Sequence, residues 1–147
     1  MSKIDVKVIC DSGVKLPEYM TVGASGMDVY AFIENPIVLK SLERVLVPTG
    51  ISVEIPQGYE IQVRPRSGLA IKHGITLLNT PGTIDSDYRG EIKIIMVNLS
   101  GSDYTINPNE RIAQFVLAKV ETMAWKSVET IENSKRAGGG FGHTGKN

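Results

Sequence analysis

Arg64-Pro65-Arg66-Ser67-Gly68 sets two guanidinium groups, a hydroxyl and a glycine side by side. A guanidinium fork can pair with two phosphate oxygens at once, and a hydroxyl with open backbone beside it adds further donors. At the start of a helix, such a group suits an anion. A second run, Asn79 to Gly90 (NTPGTIDSDYRG), combines a side-chain amide, the carboxylate of Asp85 and the ring of Tyr88 around two glycine turns. A carboxylate in a tight glycine-bounded hairpin can be aimed at one water as a general base. A third, Asn107 to Gln114 (NPNERIAQ), adds the cation Arg111 and another amide. Each run alone suits a turn or a solvated face as readily as a site.

The chain closes on a fourth candidate, Asn133 to Asn147 (NSKRAGGGFGHTGKN). Glycine loses the most backbone freedom on ordering, and Phe141 is the one large apolar side chain here, so this segment has no core of its own. Glycine-rich backbone beside Arg136 is suited to wrapping phosphate oxygens with N–H groups. The tail is therefore read as an arm that orders over an anionic ligand, or as a frayed terminus. Two familiar glycine patterns fall on it, and both fail on context. Gly140 to Gly145 fits GxGxxG without a strand before it or a helix after it, and Gly140 to Lys146 fits GxxxxGK with Asn147 where a hydroxyl should hold the metal. Asp85 to Gly90 imitates the start of an EF-hand, but Arg89 and Met96 occupy ligand positions.

The elements that must position these residues are mostly strands. Ile4, Val6 and Val8 alternate with charged neighbours. Short β-rich runs follow at Val45–Val47, Ile51–Ile55, Tyr59–Val63, Ile92–Val97 and Ile112–Leu117, divided by Pro48, Gly50, Pro56, Gly58, Gly101 and Pro108. Only Ser67–His73 reads as a helix, with Ser67 placed to cap it and Gly74 to end it. The expected class is all-β, a sandwich or barrel. At 147 residues it is most simply one domain, residues 1–132, followed by the arm, residues 133–147.

Composition bounds the partners. Sixteen basic and sixteen acidic residues cancel without a long run of either sign, which argues against a nucleic-acid surface. The single cysteine, Cys10, has no internal disulfide partner and is expected as a half-buried strand residue in a reducing compartment. No apolar stretch approaches the ~18 residues of a membrane span, and the N-terminus lacks a signal-peptide core, so no membrane partner and a cytoplasmic location are expected.

Taken together, the clusters resemble the trimeric-type dUTP pyrophosphatase (dUTPase) family over nearly the whole chain. Five ordered motifs carry the likeness: Ala24–Ala31 (ASGMDVYA) after Leu16-Pro17, Arg64–Ala70 (RPRSGLA), Gly82–Gly90 (GTIDSDYRG), Asn109–Gln114 (NERIAQ) and Arg136–Gly145 (RAGGGFGHTG). The resemblance implies a distorted jelly-roll or β-barrel protomer, a homotrimer with shared active sites, and hydrolysis of dUTP to dUMP and pyrophosphate. That activity would limit uracil incorporation into DNA and supply dUMP for thymidylate synthesis.

Residue by residue, the likeness implies Asp85 as the general base that activates water for in-line attack on the α-phosphorus. Asn79 would read the uracil edge, with main-chain groups around Thr83, Ile84 and Lys93 completing the pocket, and Tyr88 would pack on the deoxyribose. Ser67 and Gly68 would contact the α- and β-phosphates, while Arg66, Gln114 and Arg136 gather triphosphate oxygens. Phe141 would stack on uracil as the arm closes, and Asp28 would support the architecture. Mg2+ is implied, held by the phosphates and water rather than by protein ligands. Two departures stand out: His143 where the family often has serine, and Ala137 where it often has glycine. The rivals are a dCTP deaminase of the same fold and a non-catalytic nucleotide-sensing regulator. The first wants a carboxylate in the strand after the third motif, and none lies between Ile92 and Gly101.

Overall fold

The computed structural model describes residues 3–146. Its strands are β1 (Lys7–Cys10), β2 (Met27–Tyr30), β3 (Ile37–Leu39), β4 (Arg44–Glu54) and β5 (Tyr59–Arg64). One helix follows, α1 (Ser67–His73), and then β6 (Ile75–Leu77), β7 (Gly82–Ile84), β8 (Glu91–Asn98), β9 (Tyr104–Ile106) and β10 (Arg111–Lys119). Two four-stranded sheets, ordered β1-β4-β8-β6 and β2-β10-β5-β7, are joined by a β3-β9 ribbon. All strand pairs are antiparallel.

Period-two alternation sends one face of each sheet into a shared core. Ile92, Ile94 and Met96 of β8 and Val47, Ile51 and Val53 of β4 face Val29, Ile61, Val63 and Phe115 of the other sheet, all buried. The expected runs at Val45–Val47 and Ile51–Ile55 merge into the single long strand β4, bulged between Pro48 and Ser52 where it pairs with β8. At that bulge Thr49 donates its hydroxyl to Ile92 O at 2.6 Å and accepts from Ile51 N at 3.3 Å, so the displaced backbone groups stay paired. Gly50 sits there at φ +67°, where a Cβ would stand 2.5 Å from Val14 and 2.8 Å from Phe32. Only glycine fits.

Three local expectations are corrected. The N-terminal strand begins at Lys7, lies at a sheet edge and has all four residues exposed, leaving Val6 as the residue of that stretch that packs on the core. Cys10 is exposed, not half-buried, because an edge strand has sheet on one side only. Ser67 does not cap α1. Arg66 holds the N-cap position in extended conformation without a side-chain cap bond, and Ser67 is the first helical residue. The C-terminal end is as expected, with Gly74 left-handed at φ 64° and its N–H bonded back to the last turn.

Candidate active site

The outer face of the β2-β10-β5 sheet carries the first half of the site. Gln114 pairs with Asp28 on one side and with Arg64 on the other, so these three stand in a row across the sheet. Asp28 is buried, though not by the core. Charged and polar side chains cover it: Arg111 Nη1 lies 3.1 Å from Oδ2, while Gln114 Nε2 at 3.2 Å and Arg66 Nε at 3.4 Å face Oδ1. A buried carboxylate is tolerated only when so paired. Arg66 Nη1 also donates to the main-chain O of Arg111 at 3.2 Å. Ser67 and Gly68 follow directly and are exposed. Asp28 thus gathers two cations and an amide around one carboxylate.

Arg64 is the exception in that cluster. Its Nε and Nη2 donate to Gln62 Oε1 at 3.1 and 2.7 Å, along its own strand, so of the two arginines in Arg64–Gly68 only Arg66 joins the Asp28 cluster. Tyr104 and Glu110 anchor the loop that launches β10. Glu110 accepts from Asn107 N at 2.8 Å and from the Tyr104 hydroxyl. Burial and then that hydrogen bond push the Tyr104 hydroxyl well above the usual tyrosine range.

The second half lies on β7 and the connector after it. β7 pairs with β5 (Ile61 opposite Ile84, Val63 opposite Gly82), whereas β8 pairs with β4 and β6. The segment carrying Asp85 is therefore a crossing between sheets, not the hairpin expected from its glycines. It is tied to itself: Tyr88 N donates to Asp85 O at 3.1 Å, the Tyr88 hydroxyl to Glu91 O at 2.8 Å, and Arg89 Nη1 to Ser86 O at 2.7 Å. The Tyr88 hydroxyl lies over Gly90, 2.5 Å from where a Cβ would be. Asp85 itself is exposed. Thr83, Ile84, Asp85, Tyr88, Ile92 and Lys93 line a cavity of about 410 Å³, large enough for a nucleoside. A second groove, of about 900 Å³, shares Asp85 but sets Glu54, Glu60 and Asp87 against one arginine, Arg89, a poor balance for phosphates. Asn79 stands beside Gly82, at the far end of β7 from Asp85.

The arm carries Arg136 and Phe141 in the open. Arg136 Nε donates to Gly139 O at 2.7 Å, successive tight turns follow, and the Phe141 side chain is fully exposed. His143 packs its imidazole on Gly139, a place with no room for a Cβ. Among the described residues, no group of three or more His, Cys, Asp or Glu side chains could hold a metal. No helix among them is long and apolar enough to cross a membrane.

The residue missed by sequence reasoning is Arg111. It was legible as one more cation in the fourth motif, but nothing in the spacing said that it shares the Asp28 carboxylate with Arg66.

A nucleoside-sized cavity with a carboxylate at its rim, and a separate cluster of phosphate-type donors on the same two-sheet scaffold, define a nucleotide-hydrolase class of site. The dUTPase family model matches residues 13–145, and the chain belongs to that family. The deoxyuridine 5'-triphosphate nucleotidohydrolase of Fusobacterium nucleatum is 66% identical over 146 residues, 99% of this chain and 100% of the relative. That of Finegoldia magna is 60% identical over 140 residues, 95% and 98% of the two chains. Among solved structures, a point mutant of the Staphylococcus bacteriophage 80alpha dUTPase with dUpNHpp superposes at a TM-score of 0.86 with 25% identity, covering 97% of this chain and 99% of the phage chain. A mutant dUTPase of the S. aureus phage phi11, 23% identical with a TM-score of 0.78 over 88% of this chain and 100% of that one, shares the fold and coordinates a structural Mg(II) ion.

Proposed function

We propose that this dUTPase-family enzyme hydrolyses dUTP to dUMP and pyrophosphate at a site built from the cavity of one copy and the phosphate-binding cluster of another. The strand register is the observation that carries this. Asp28 lies on β2 and Asp85 just past the end of β7, three places away in the order β2-β10-β5-β7, and β5 meets Gln114, the partner of Asp28, at Arg64 but reaches Ile84, the residue before Asp85, only at Ile61. At about 4.8 Å between strands and 3.3 Å per residue, the two carboxylates stand on the order of 20 Å apart. A base attacking through water at the α-phosphorus and cations on the neighbouring phosphates must lie within a few ångströms of one chain of three phosphorus atoms. One copy does not bring them together, whereas adjoining copies of a cyclic trimer can, each giving its cavity to one site and its cluster to the next.

In that arrangement uracil enters the 410 Å³ cavity, where main-chain groups around Thr83, Ile84 and Lys93 read its edge, while Asn79, beside Gly82, stands outside the cavity lining. A pocket that hydrogen-bonds the correct base strongly rejects one with the reversed donor pattern, and leaves no room for a 5-methyl group. Tyr88, fixed over Gly90, packs on the deoxyribose. Asp85 takes the proton of the attacking water, a contribution of about 10²–10⁴-fold in rate. Arg66, Ser67, Gly68 and Gln114 of the adjoining copy hold the triphosphate and stabilise the pyrophosphate as it leaves. Arg136 adds a cation and Phe141 a stacking face once the arm closes. The chain's donor set fits Mg2+ only as a passenger of the substrate, since Asp28 is already occupied by two guanidiniums and an amide. Bound to the triphosphate, Mg2+ would neutralise charge on its oxygens.

The test offers dUTP, dTTP, dCTP and UTP with magnesium and measures pyrophosphate and ammonia. Pyrophosphate from dUTP in strong preference to the others is expected; ammonia from dCTP, or no pyrophosphate from dUTP, contradicts the reading.

A further inference from the structure

We propose that Arg111 is a positioning residue for the phosphate-binding half of the site: it holds one oxygen of Asp28 so that Arg66 keeps its charge and its free donors for the triphosphate. The proposal rests on the dUTPase reading and adds a residue to it.

Strand β10 explains how Arg111 reaches Asp28. Ile112 and Ala113 are consecutive and both fully buried, which breaks the in-out alternation, and the pairing with β2 shifts register between Arg111 and Ala113. A regular strand with Gln114 on the outer face would turn residue 111 inward. The irregularity turns Arg111 out, onto the face of Asp28 and Gln114.

What Arg111 does there follows from the division of the carboxylate. Oδ2 belongs to Arg111 at 3.1 Å, while Oδ1 serves Gln114 at 3.2 Å and Arg66 Nε at 3.4 Å. A guanidinium beside a carboxylate with both oxygens free prefers the bidentate fork. Facing Asp28 alone, Arg66 would close into that fork, losing two donors and cancelling its charge. With Oδ2 taken, Arg66 is confined to a single contact through Nε, its Nη1 is parked on the Arg111 carbonyl, and its other N–H groups remain for a ligand. Two guanidiniums against one carboxylate also leave the cluster with one net positive charge. Half-exposed and outside the core, the Arg111 side chain is replaceable without a cavity.

The experiment compares wild type, Arg111→Gln and Arg111→Lys by titration calorimetry with dUpNHpp and with dUMP. Without a guanidinium on Oδ2, Arg66 is free to fork with Asp28, which should weaken dUpNHpp about tenfold, the size of one charge-assisted hydrogen bond, and dUMP less than about twofold. Arg111→Lys keeps a cation on Oδ2 and should bind dUpNHpp within about threefold of wild type. In an Arg66→Gln background, Arg111→Gln should add almost nothing, because it acts through Arg66. Wild-type dUpNHpp affinity in Arg111→Gln, an equal loss for both ligands, or full additivity with Arg66→Gln overturns the proposal. Should the Gln variant not fold, Arg111→Met decides: a loss of dUpNHpp affinity beyond about threefold with dUMP weakened less than about twofold supports the proposal, and any other result overturns it. A wild-type enzyme that fails to hydrolyse dUTP would sink the functional reading itself; one that hydrolyses dUTP while Arg111→Gln binds normally would sink only the role of Arg111.

Discussion

Asp85 sits exposed on a sheet-crossing connector, at the rim of the nucleoside-sized cavity. Replacing it with asparagine keeps the shape and removes the proposed base. Turnover of dUTP in Asp85→Asn should fall by about 10²–10⁴-fold while dUpNHpp binding stays within a few-fold, as single-turnover kinetics and calorimetry would show. Tyr104 gives a second prediction at this scale. Its hydroxyl is held above the usual tyrosine range by burial and by the bond to Glu110. A raised pKa means the folded state favours the protonated form. The stabilisation is therefore complete below the ordinary tyrosine pKa of about 10 and fades as pH rises through the folded value. In an absorbance titration, one of the five tyrosines should ionise last, and Tyr104→Phe should remove that phase. The site residues were legible as types and motifs, but their partnerships were not. That Asp28 lies under Arg66 and Arg111, and that Arg64 turns instead to Gln62, depends on strand register, which a single sequence does not state.

At the scale of elements, the long alternating strands were legible because β4, β5, β8 and β10 each repeat the period often enough to be distinct. β3, β6, β7 and β9, at three residues each, carry too little pattern. The glycines flanking Asp85 suggested a hairpin because hairpins join neighbours in sequence; here consecutive strands enter different sheets, and pairing beyond the neighbours decides. The β4 bulge tests how much the architecture leans on one residue. Gly50→Ala would combine a positive φ with contacts to Val14 and Phe32, and should cost about 2–3 kcal/mol, a fall in melting temperature on the order of 5–10 °C. A change under about 1 °C would mean that the bulge relaxes freely.

For the whole molecule, the decisive facts are the separation of the two halves and the exposure of the arm. Residues 133–146 form no strand or helix, and Phe141, the arm's one large apolar side chain, lies fully in solvent, so the arm draws no stability from its own domain. Deleting residues 135–147 should therefore leave the melting temperature within about 2 °C of wild type while crippling dUTP hydrolysis. A large drop in melting temperature would instead make the segment structural. The claim that one site needs two copies is tested most directly by mixing two inactive variants. Asp85→Asn lacks the base but keeps the phosphate cluster, and Arg66→Gln lacks the phosphate cation but keeps the base. Refolded together in equal amounts, they should recover about a quarter of wild-type dUTP hydrolysis, the fraction of sites that draw an intact half from each of two neighbours by chance. A mixture no more active than its two components alone would contradict the shared site.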